Sequence, residues 1–370
     1  MIYGKFIKVS DFAKLSKSDD SFDFLPSSNI LECICNCQVS FSESSTEINF
    51  LQEQVMALQE AAMKDIQESI LRILKKFKEF VIACFRKFMD KMKTFIKAIV
   101  NPYMRVVFDK VGGNDIDVIK KIFESNTIKN TVVFTPGFTM ECINKNGIDD
   151  YLDINLGEVF EKMKVDFADG KEFSVENYTN SDKFYNSKFL SIGNKEMTIS
   201  ERFKALSEDP KIGKEYAVAF GCKYFVADPD HVDLLGVTTM LMDKDINTKA
   251  QKAIDFYSGI NNQSSKFSEK SSGEAKKILR EATKYFHPDN IERRNKFTLP
   301  DKQNPNSAAD DNKKTMDSAS AYMNGIKYIY EFISKGTSSV SKIFTSCLDT
   351  ETRNMSKLVA ISNAYHKAMK

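Results

Sequence analysis

The apolar positions between Leu51 and Val100 repeat with helical spacing, and no glycine or proline interrupts them. Asn101-Pro102 follows directly and predicts the end of the helix, because proline cannot continue the hydrogen-bond pattern. A helix over these residues would measure about 75 Å at roughly 1.5 Å per residue, far longer than the usual globular helix. The pattern therefore predicts one long amphipathic helix around which the rest of the chain is organised.

The second half of this helix carries a fixed apolar stripe. At about 100° per residue, its apolar side chains fall within a sector about 80° wide. These side chains are Leu74, Phe77, Val81, Phe85, Phe88, Met92, Phe95 and Ile99. Bases occupy the opposite side, namely Arg72, Lys75, Lys76, Arg86, Lys87, Lys93 and Lys97. We predict that the apolar stripe is the face through which the helix contacts neighbouring subunits.

The first half, from Leu51 to Leu71, has more acidic than basic residues and no such stripe. Its apolar positions step mostly by four, so the apolar face rotates by roughly 160° between Leu58 and Leu74. The pattern is not a simple heptad, which argues against a plain coiled coil over the whole length. We predict either a bend or break near residues 63–72, or different partners for the two halves.

The basic half of the helix leaves three interpretations open. It is a solvated polar face on a helix packed into its own protein, a contact face in an oligomeric or heteromeric assembly, or a membrane-surface helix with lysines opposite phenylalanines. Specific nucleic-acid binding is not indicated, because no aromatic residues interleave with the bases. No membrane span is expected, since the longest uncharged run in the helix is Phe80–Phe85, against roughly 18–20 apolar residues for a span.

The whole sequence predicts a mainly α protein with a smaller mixed α/β middle region. The Ser-, Asn- and Lys-rich segment NNQSSKFSEKSSG is typical of a linker. Two helical segments, Met316–Ser334 and Thr337–Lys370, are expected near the end of the chain. The predicted organisation is an N-terminal arm with short strands (1–50), the long helix (51–111), the mixed α/β domain (114–260), the linker (261–273) and a C-terminal helical domain (274–370).

Cysteine usage indicates free thiols. The seven cysteines are an odd number, and no apolar signal sequence opens the chain, so synthesis in a reducing compartment without secretion by a signal peptide is expected. Cys33, Cys35 and Cys37 alternate along a predicted strand at Ile30–Val39. Zinc ligands usually have two to four residues between them, so buried cysteine side chains are expected here instead of a metal site.

No pattern of catalytic residues is present, and we expect a non-enzymatic protein without cofactor, metal or small-molecule substrate. There is no glycine-rich phosphate loop, and the histidines have no triad-like neighbours. The acidic turn Asp228–Asp233 lacks the glycine and glutamate that an EF-hand loop needs.

A short motif resembles another class of protein. His287-Pro288-Asp289 follows a basic helix, as in the J-domain of Hsp70 co-chaperones, and Leu234–Val237 is similar to the first helix of that family. The resemblance implies an Hsp70-docking face made of Lys276, Lys277, Arg280 and Lys284. The separations are too long for the family, since a third-helix counterpart appears only at Ile361–Tyr365. A co-chaperone role is therefore kept as an alternative.

The stretch AAMKDIQESILRILKKFKEFVIACFRKFMDKMKTFI, within residues 51–100, resembles virion structural proteins of large tailed bacteriophages. Leu58-Gln59-Glu60-Ala61 also resembles the Leu-x-Glu cleavage signal of phage prohead proteases. The resemblance implies a structural subunit of a capsid, tail or baseplate, assembled in the host cytoplasm and bound to other structural proteins or to copies of itself. A peripheral membrane-binding protein that uses the basic half of the helix is the other alternative.

Overall fold

The structure, a computed structural model, describes residues 47–100, 116–125, 128–144, 147–168, 175–178, 199–286 and 308–368. Over this part of the chain the protein is mainly α-helical, with one two-stranded sheet. The predicted fold class is confirmed. The predicted N-terminal arm and Cys33, Cys35 and Cys37 lie outside the described residues.

The long helix α1 spans Glu47–Phe95 and ends in a π-helical turn at Ile96–Val100. The end falls just before Asn101-Pro102, as the proline predicts. The helix does not break near residues 63–72, because α1 is continuous there. The chain divides at Arg72 into two compact units, so the two halves of α1 have different packing partners. The division falls at the end of the 63–72 region where the sequence predicts a change of partner.

Short elements follow α1 and surround one strand pair. They are α2 (Ile116–Phe123), β1 (Val132–Phe134), α3 (Met140–Asn144), α4 (Ile148–Leu152), α5 (Leu156–Ala168), a 3-10 turn (Val175–Tyr178), α6 (Ile199–Glu208), α7 (Pro210–Phe220), β2 (Tyr224–Val226) and α8 (Leu234–Leu241). The strands β1 and β2 are antiparallel, with Val133 opposite Phe225. Among the described residues, the β part of the middle region is limited to this pair.

Helix α7 shows why the chain turns where it does. The Asp209 carboxylate accepts hydrogen bonds from the N–H groups of Lys211 and Ile212, and Pro210 occupies the first turn. Gly221 ends the helix at φ 65°, a left-handed conformation that favours glycine. The chain then enters β2.

Two further long helices, α9 (Ile246–Phe286) and α10 (Ala308–Ala368), correct the predicted C-terminal organisation. The predicted linker at 261–273 is wrong, because these residues lie inside α9, where tertiary packing overrides their polar composition. The predicted interruption between Ser334 and Thr337 is also wrong, because α10 is continuous there. The helix needs a glycine at position 336, since a Cβ would collide with the ring of Tyr151.

The larger unit is built from three separate segments, Ile73–Asn155, Ser174–Ser272 and Phe332–Lys370. Within it, α1 and α9 are antiparallel: Leu74 contacts Ser268, whereas Phe88, further along α1, contacts Tyr257, which comes earlier in α9. The α1 and α10 segments are parallel, since Cys84 contacts Thr345 and Ala98 contacts Ser362. Part of the core of this unit lies between these three helices, and another part surrounds Phe134 and Tyr216 at the strand pair.

The smaller unit comprises Met1–Arg72, Leu156–Phe173 and Gly273–Glu331. In it the Glu274 carboxylate accepts a 2.8 Å hydrogen bond from the N–H of Leu156, at the start of α5. Gly325 of α10 faces the ring of Phe160. Each unit combines separated segments, and the chain passes from one unit to the other between Ser272 and Gly273, next to the domain start predicted at 274.

Candidate functional site

The predicted interaction stripe is covered by the chain itself. Seven of its side chains are buried and one, Phe85, is half-buried. The buried ones are Leu74, Phe77, Val81, Phe88, Met92, Phe95 and Ile99. Phe77 meets Phe267 edge-on with ring centroids 6.2 Å apart, and Phe88 meets Tyr257 at 5.1 Å. The stripe is therefore an intramolecular core face, and its burial corrects the prediction that it contacts a neighbouring subunit.

The side of α1 opposite the apolar stripe is exposed. The exposed bases of the part of α1 that belongs to the larger unit, here called the basic face, are Lys75, Lys76, Arg86, Lys87, Lys91, Lys93 and Lys97. They extend over about 33 Å at roughly 1.5 Å per residue. The stripe on the other side of the helix is packed against α9.

Only two of these bases have an acidic partner among the described residues, and both partners are on the same helix. Lys75 lies 4.0 Å from Glu79, and Lys93 lies 3.8 Å from Asp90. All four side chains are well exposed, and exposed pairs of this kind contribute little to stability. The basic face thus keeps a net positive charge for contacts outside the described chain.

The bases recur at a fixed interval. Lys75, Arg86 and Lys97 are eleven residues apart, and Lys76 and Lys87 repeat the same step. Eleven residues are close to three helical turns, so each series lies almost on a line, with levels about 16 Å apart and a drift of roughly 20° per step. The rows place positive charge along one side of α1 at regular levels.

A second polar arrangement lies in the interior of the larger unit. Glu351 of α10 is fully buried and accepts hydrogen bonds from the N–H of Gly137 at 2.5 Å and the O–H of Thr139 at 2.9 Å. The hydroxyl of Thr139 also contacts that of Tyr257 on α9. Burial raises the pKa of Glu351 to about 7, against the hydrogen bonds from Gly137 and Thr139, which lower it.

One turn further along α10, Asn354 binds the free edge of β1. Its amide nitrogen donates to the carbonyl of Phe134 at 2.7 Å, and its oxygen accepts from the N–H of Phe134 at 2.8 Å. The buried Lys357 donates to the carbonyl of Val132 at 3.4 Å, and burial lowers the pKa of this ammonium group to about 8. These side chains complete the sheet edge in the way that a third strand would.

An ion-pair cluster holds the segment after α8. Asp243 is buried and binds Lys249 at 2.8 Å and Lys223 at 3.1 Å. Burial alone would raise the pKa of Asp243, but the hydrogen bonds from Lys249, the N–H of Asp245 and Lys223 outweigh it and lower the value to about 2. All these contacts lie within the packed structure and serve to fix it.

The described cysteines are free thiols: Cys84 and Cys222 are half-buried and Cys347 is buried. Burial, together with the nearby charges of Glu351 and Glu141, raises the pKa of Cys222 to about 11. Within the described part of the chain, no group of three His, Cys, Asp or Glu side chains is arranged to hold a metal ion.

The described residues of the co-chaperone resemblance belong to different units. Leu234–Val237 begin the short helix α8 in the larger unit, whereas the exposed Lys276, Lys277 and Arg280 belong to the α9 segment of the smaller unit. His287-Pro288-Asp289 lies outside the described residues.

Comparison with protein-family models, with curated proteins and with solved structures finds no match. None of the described helices combines the length and apolar character that crossing a membrane requires. Glu351, Thr139 and Asn354 were missed by the sequence reasoning. The one available signal was that Glu351 and Asn354 occupy positions of α10 at helical spacing from its apolar residues.

Proposed function

We propose that the protein is a non-enzymatic structural subunit of a large assembly, such as a phage particle, and that it contacts neighbouring proteins through the basic face of α1. The observation that carries the proposal is the exposure of these bases on a helix whose apolar stripe is already covered. The eleven-residue recurrence favours a straight acidic helix as the neighbouring element. Lengths of 41 to 61 residues for α9, α1 and α10 suit a structural role, since the mean globular helix has only about 11–12.

The alternatives have less support. An interfacial membrane helix inserts its apolar face into the lipid boundary, but the stripe of α1 is packed against α9, and Phe80 is the one large apolar side chain well exposed on the described part of α1. Sequence-tolerant nucleic-acid binding uses rows of aromatic side chains, whereas six of the seven bases of the face are lysines. An acidic protein surface needs neither insertion nor stacking.

The proposal is tested by charge reversal. The variant Lys76→Glu/Arg86→Glu/Lys87→Glu changes three exposed bases without an ion pair to any described residue. Its matched control, Lys244→Glu/Lys252→Glu/Lys342→Glu, changes three exposed lysines elsewhere in the same unit. Both variants should unfold within about 0.5 kcal/mol of the wild type, because surface substitutions away from structural contacts have small effects.

The measurement is the fraction of tagged protein that sediments with high-mass particles isolated from the cells in which the protein is made. We expect wild type and control to enter the particle fraction and the basic-face variant to stay behind. Added salt should weaken wild-type entry through screening. Equal entry of the basic-face variant, or absence of the wild type from the particles, would contradict the proposal. Co-sedimentation of the wild type with anionic liposomes, lost in the variant, would favour the membrane alternative.

A further inference from the structure

The turn at residues 135–139, between β1 and α3, is bound to α10 by one side chain, Glu351. Tyr216 of α7 holds the same turn from another side, donating a 2.7 Å hydrogen bond to the carbonyl of Phe138. The N–H of Gly137 donates to one oxygen of Glu351, while the N–H of Thr139, at 3.4 Å, and its O–H, at 2.9 Å, donate to the other. Glu351 is completely buried. The attachment of the turn to α10 therefore depends on one carboxyl group that water does not reach.

No described cation pairs with this carboxyl group. The titratable groups near it are Cys222 before β2, whose pKa the charge of Glu351 raises, and Tyr257 on α9, whose hydroxyl contacts that of Thr139. The charges of Glu141 on α3 and Lys249 on α9 also act on Cys222. Lys249 is paired with Asp243, and Lys357 is directed at the carbonyl of Val132. Among the described residues, none makes an ion pair with Glu351.

The neutral carboxyl group fits this site well. When protonated, Glu351 can donate its O–H to the Thr139 hydroxyl oxygen, and Thr139 can then donate to the hydroxyl of Tyr257, which it already contacts. The direction of these hydrogen bonds reverses without movement of the heavy atoms, so the side-chain oxygens of Glu351, Thr139 and Tyr257 all keep a partner. When ionised, the same group keeps its three donors but leaves a buried negative charge without a counter-ion, which is costly.

We propose that Glu351 makes the contact between the 135–139 turn and α10 a pH-sensitive latch, which is closed while the carboxyl group is neutral and opens more readily once it is ionised. In the open state water reaches the carboxyl group, and its pKa returns to an ordinary value. The closed state binds the proton more tightly than the open state. Opening therefore becomes more favourable as the pH rises between the two pKa values and stays constant above the higher one.

The size of the change in the opening equilibrium follows from the difference between the pKa values of Glu351 in the closed and open states. The pKa of Glu351 rises from 4.5 to about 7 in the buried site. Each pH unit between these values changes the opening equilibrium up to tenfold, giving about 300-fold over the whole interval. The result is a local change in the turn, while the helical core that contains Phe88 keeps its packing.

The test is amide hydrogen exchange of the wild-type protein from about pH 5 to about pH 8, with rates corrected for the intrinsic pH dependence of exchange. The reporters are the amides of Gly137 and Thr139, and the control amides are those of Val81 and Phe88 in α1. We expect the protection of the two turn amides to fall by at least tenfold between about pH 5 and about pH 7, with unchanged protection in α1. Constant protection of the turn, or a parallel loss in α1, would overturn the latch.

The variant Glu351→Gln supplies the second measurement. An uncharged amide keeps an acceptor for the turn but cannot ionise, so its turn protection should not depend on pH. The same fall in protection as in the wild type would assign the titration to another group and overturn the proposal. Should the glutamine variant fail to fold, the wild-type profile alone still decides. Particle entry of the basic-face variants is a separate readout, so the latch and the proposed function can fail independently.

Discussion

Replacing Phe88 distinguishes an internal core stripe from a subunit contact. Phe88 is 1% exposed, and its ring packs against Tyr257 of α9 and the neighbouring Phe85. Truncating a phenylalanine in a packed core removes its buried area and leaves a cavity, at a cost of about 3–5 kcal/mol. We therefore expect Phe88→Ala to lower the free energy of unfolding by about that amount, without a change in the mass of the protein in solution.

The matched control is Phe80→Ala on the same helix. Phe80 is 42% exposed and lies outside the stripe, so its removal should cost less than about 1.5 kcal/mol. Both variants are measured by urea unfolding followed by circular dichroism and by sedimentation velocity. A Phe88→Ala protein that is as stable as the wild type, but has a smaller assembly mass, would refute the assignment of the stripe to the core.

Two further substitutions test the packing and the charges of the larger unit. Gly336→Ala should lower stability by about 1–3 kcal/mol, because its methyl group meets the Tyr151 ring. Gly259→Ala has open space around its Cβ and should raise stability by about 0.5–1 kcal/mol through helix propensity. Thermal unfolding measures both changes, and equal effects of the two substitutions would contradict this packing. Asp243 has its pKa lowered from 3.8 to about 2, so its contribution of about 2 kcal/mol is present above about pH 4 and is lost as the pH falls through about 2. The Asp243→Asn variant should therefore be less stable than the wild type at neutral pH, and this difference in the free energy of unfolding should shrink in acid. A difference that stays the same from neutral to acid pH would contradict the prediction.

The sequence predicted the strongest periodic feature correctly and its environment incorrectly. The spacing of the apolar residues identified α1 and the side chains on its buried face, because a helix with such a stripe must cover it. The spacing could not show what covers it. Phe267 and Tyr257, which pack on the stripe, come from α9, and Phe267 lies within the segment that composition had suggested as a linker.

The linker prediction failed because serine is polar in composition yet small enough for a helix core. Along α9 the buried residues Ala253, Tyr257, Ile260, Ser264, Phe267 and Ser271 follow one another at spacings of three and four. Hydropathy breaks this repeat at the serines. Their small side chains suit a close approach between helices, and the neighbouring Ser268 donates a 2.8 Å hydrogen bond to the carbonyl of Leu74 on α1.

The polar residues of α10 were beyond local prediction for a related reason. Asn354 occupies a buried position at helical spacing from Leu358 and Ile361, and its partner Phe134 lies 220 residues away in the chain. A two-stranded sheet would normally leave β1 with an unpaired edge, but the Asn354 side chain satisfies both the N–H and the C=O of Phe134. The helix therefore supplies by a side chain what a third strand would supply by its backbone. An apolar residue at position 354 would continue the helical pattern equally well but would leave the N–H and C=O of Phe134 without these hydrogen bonds.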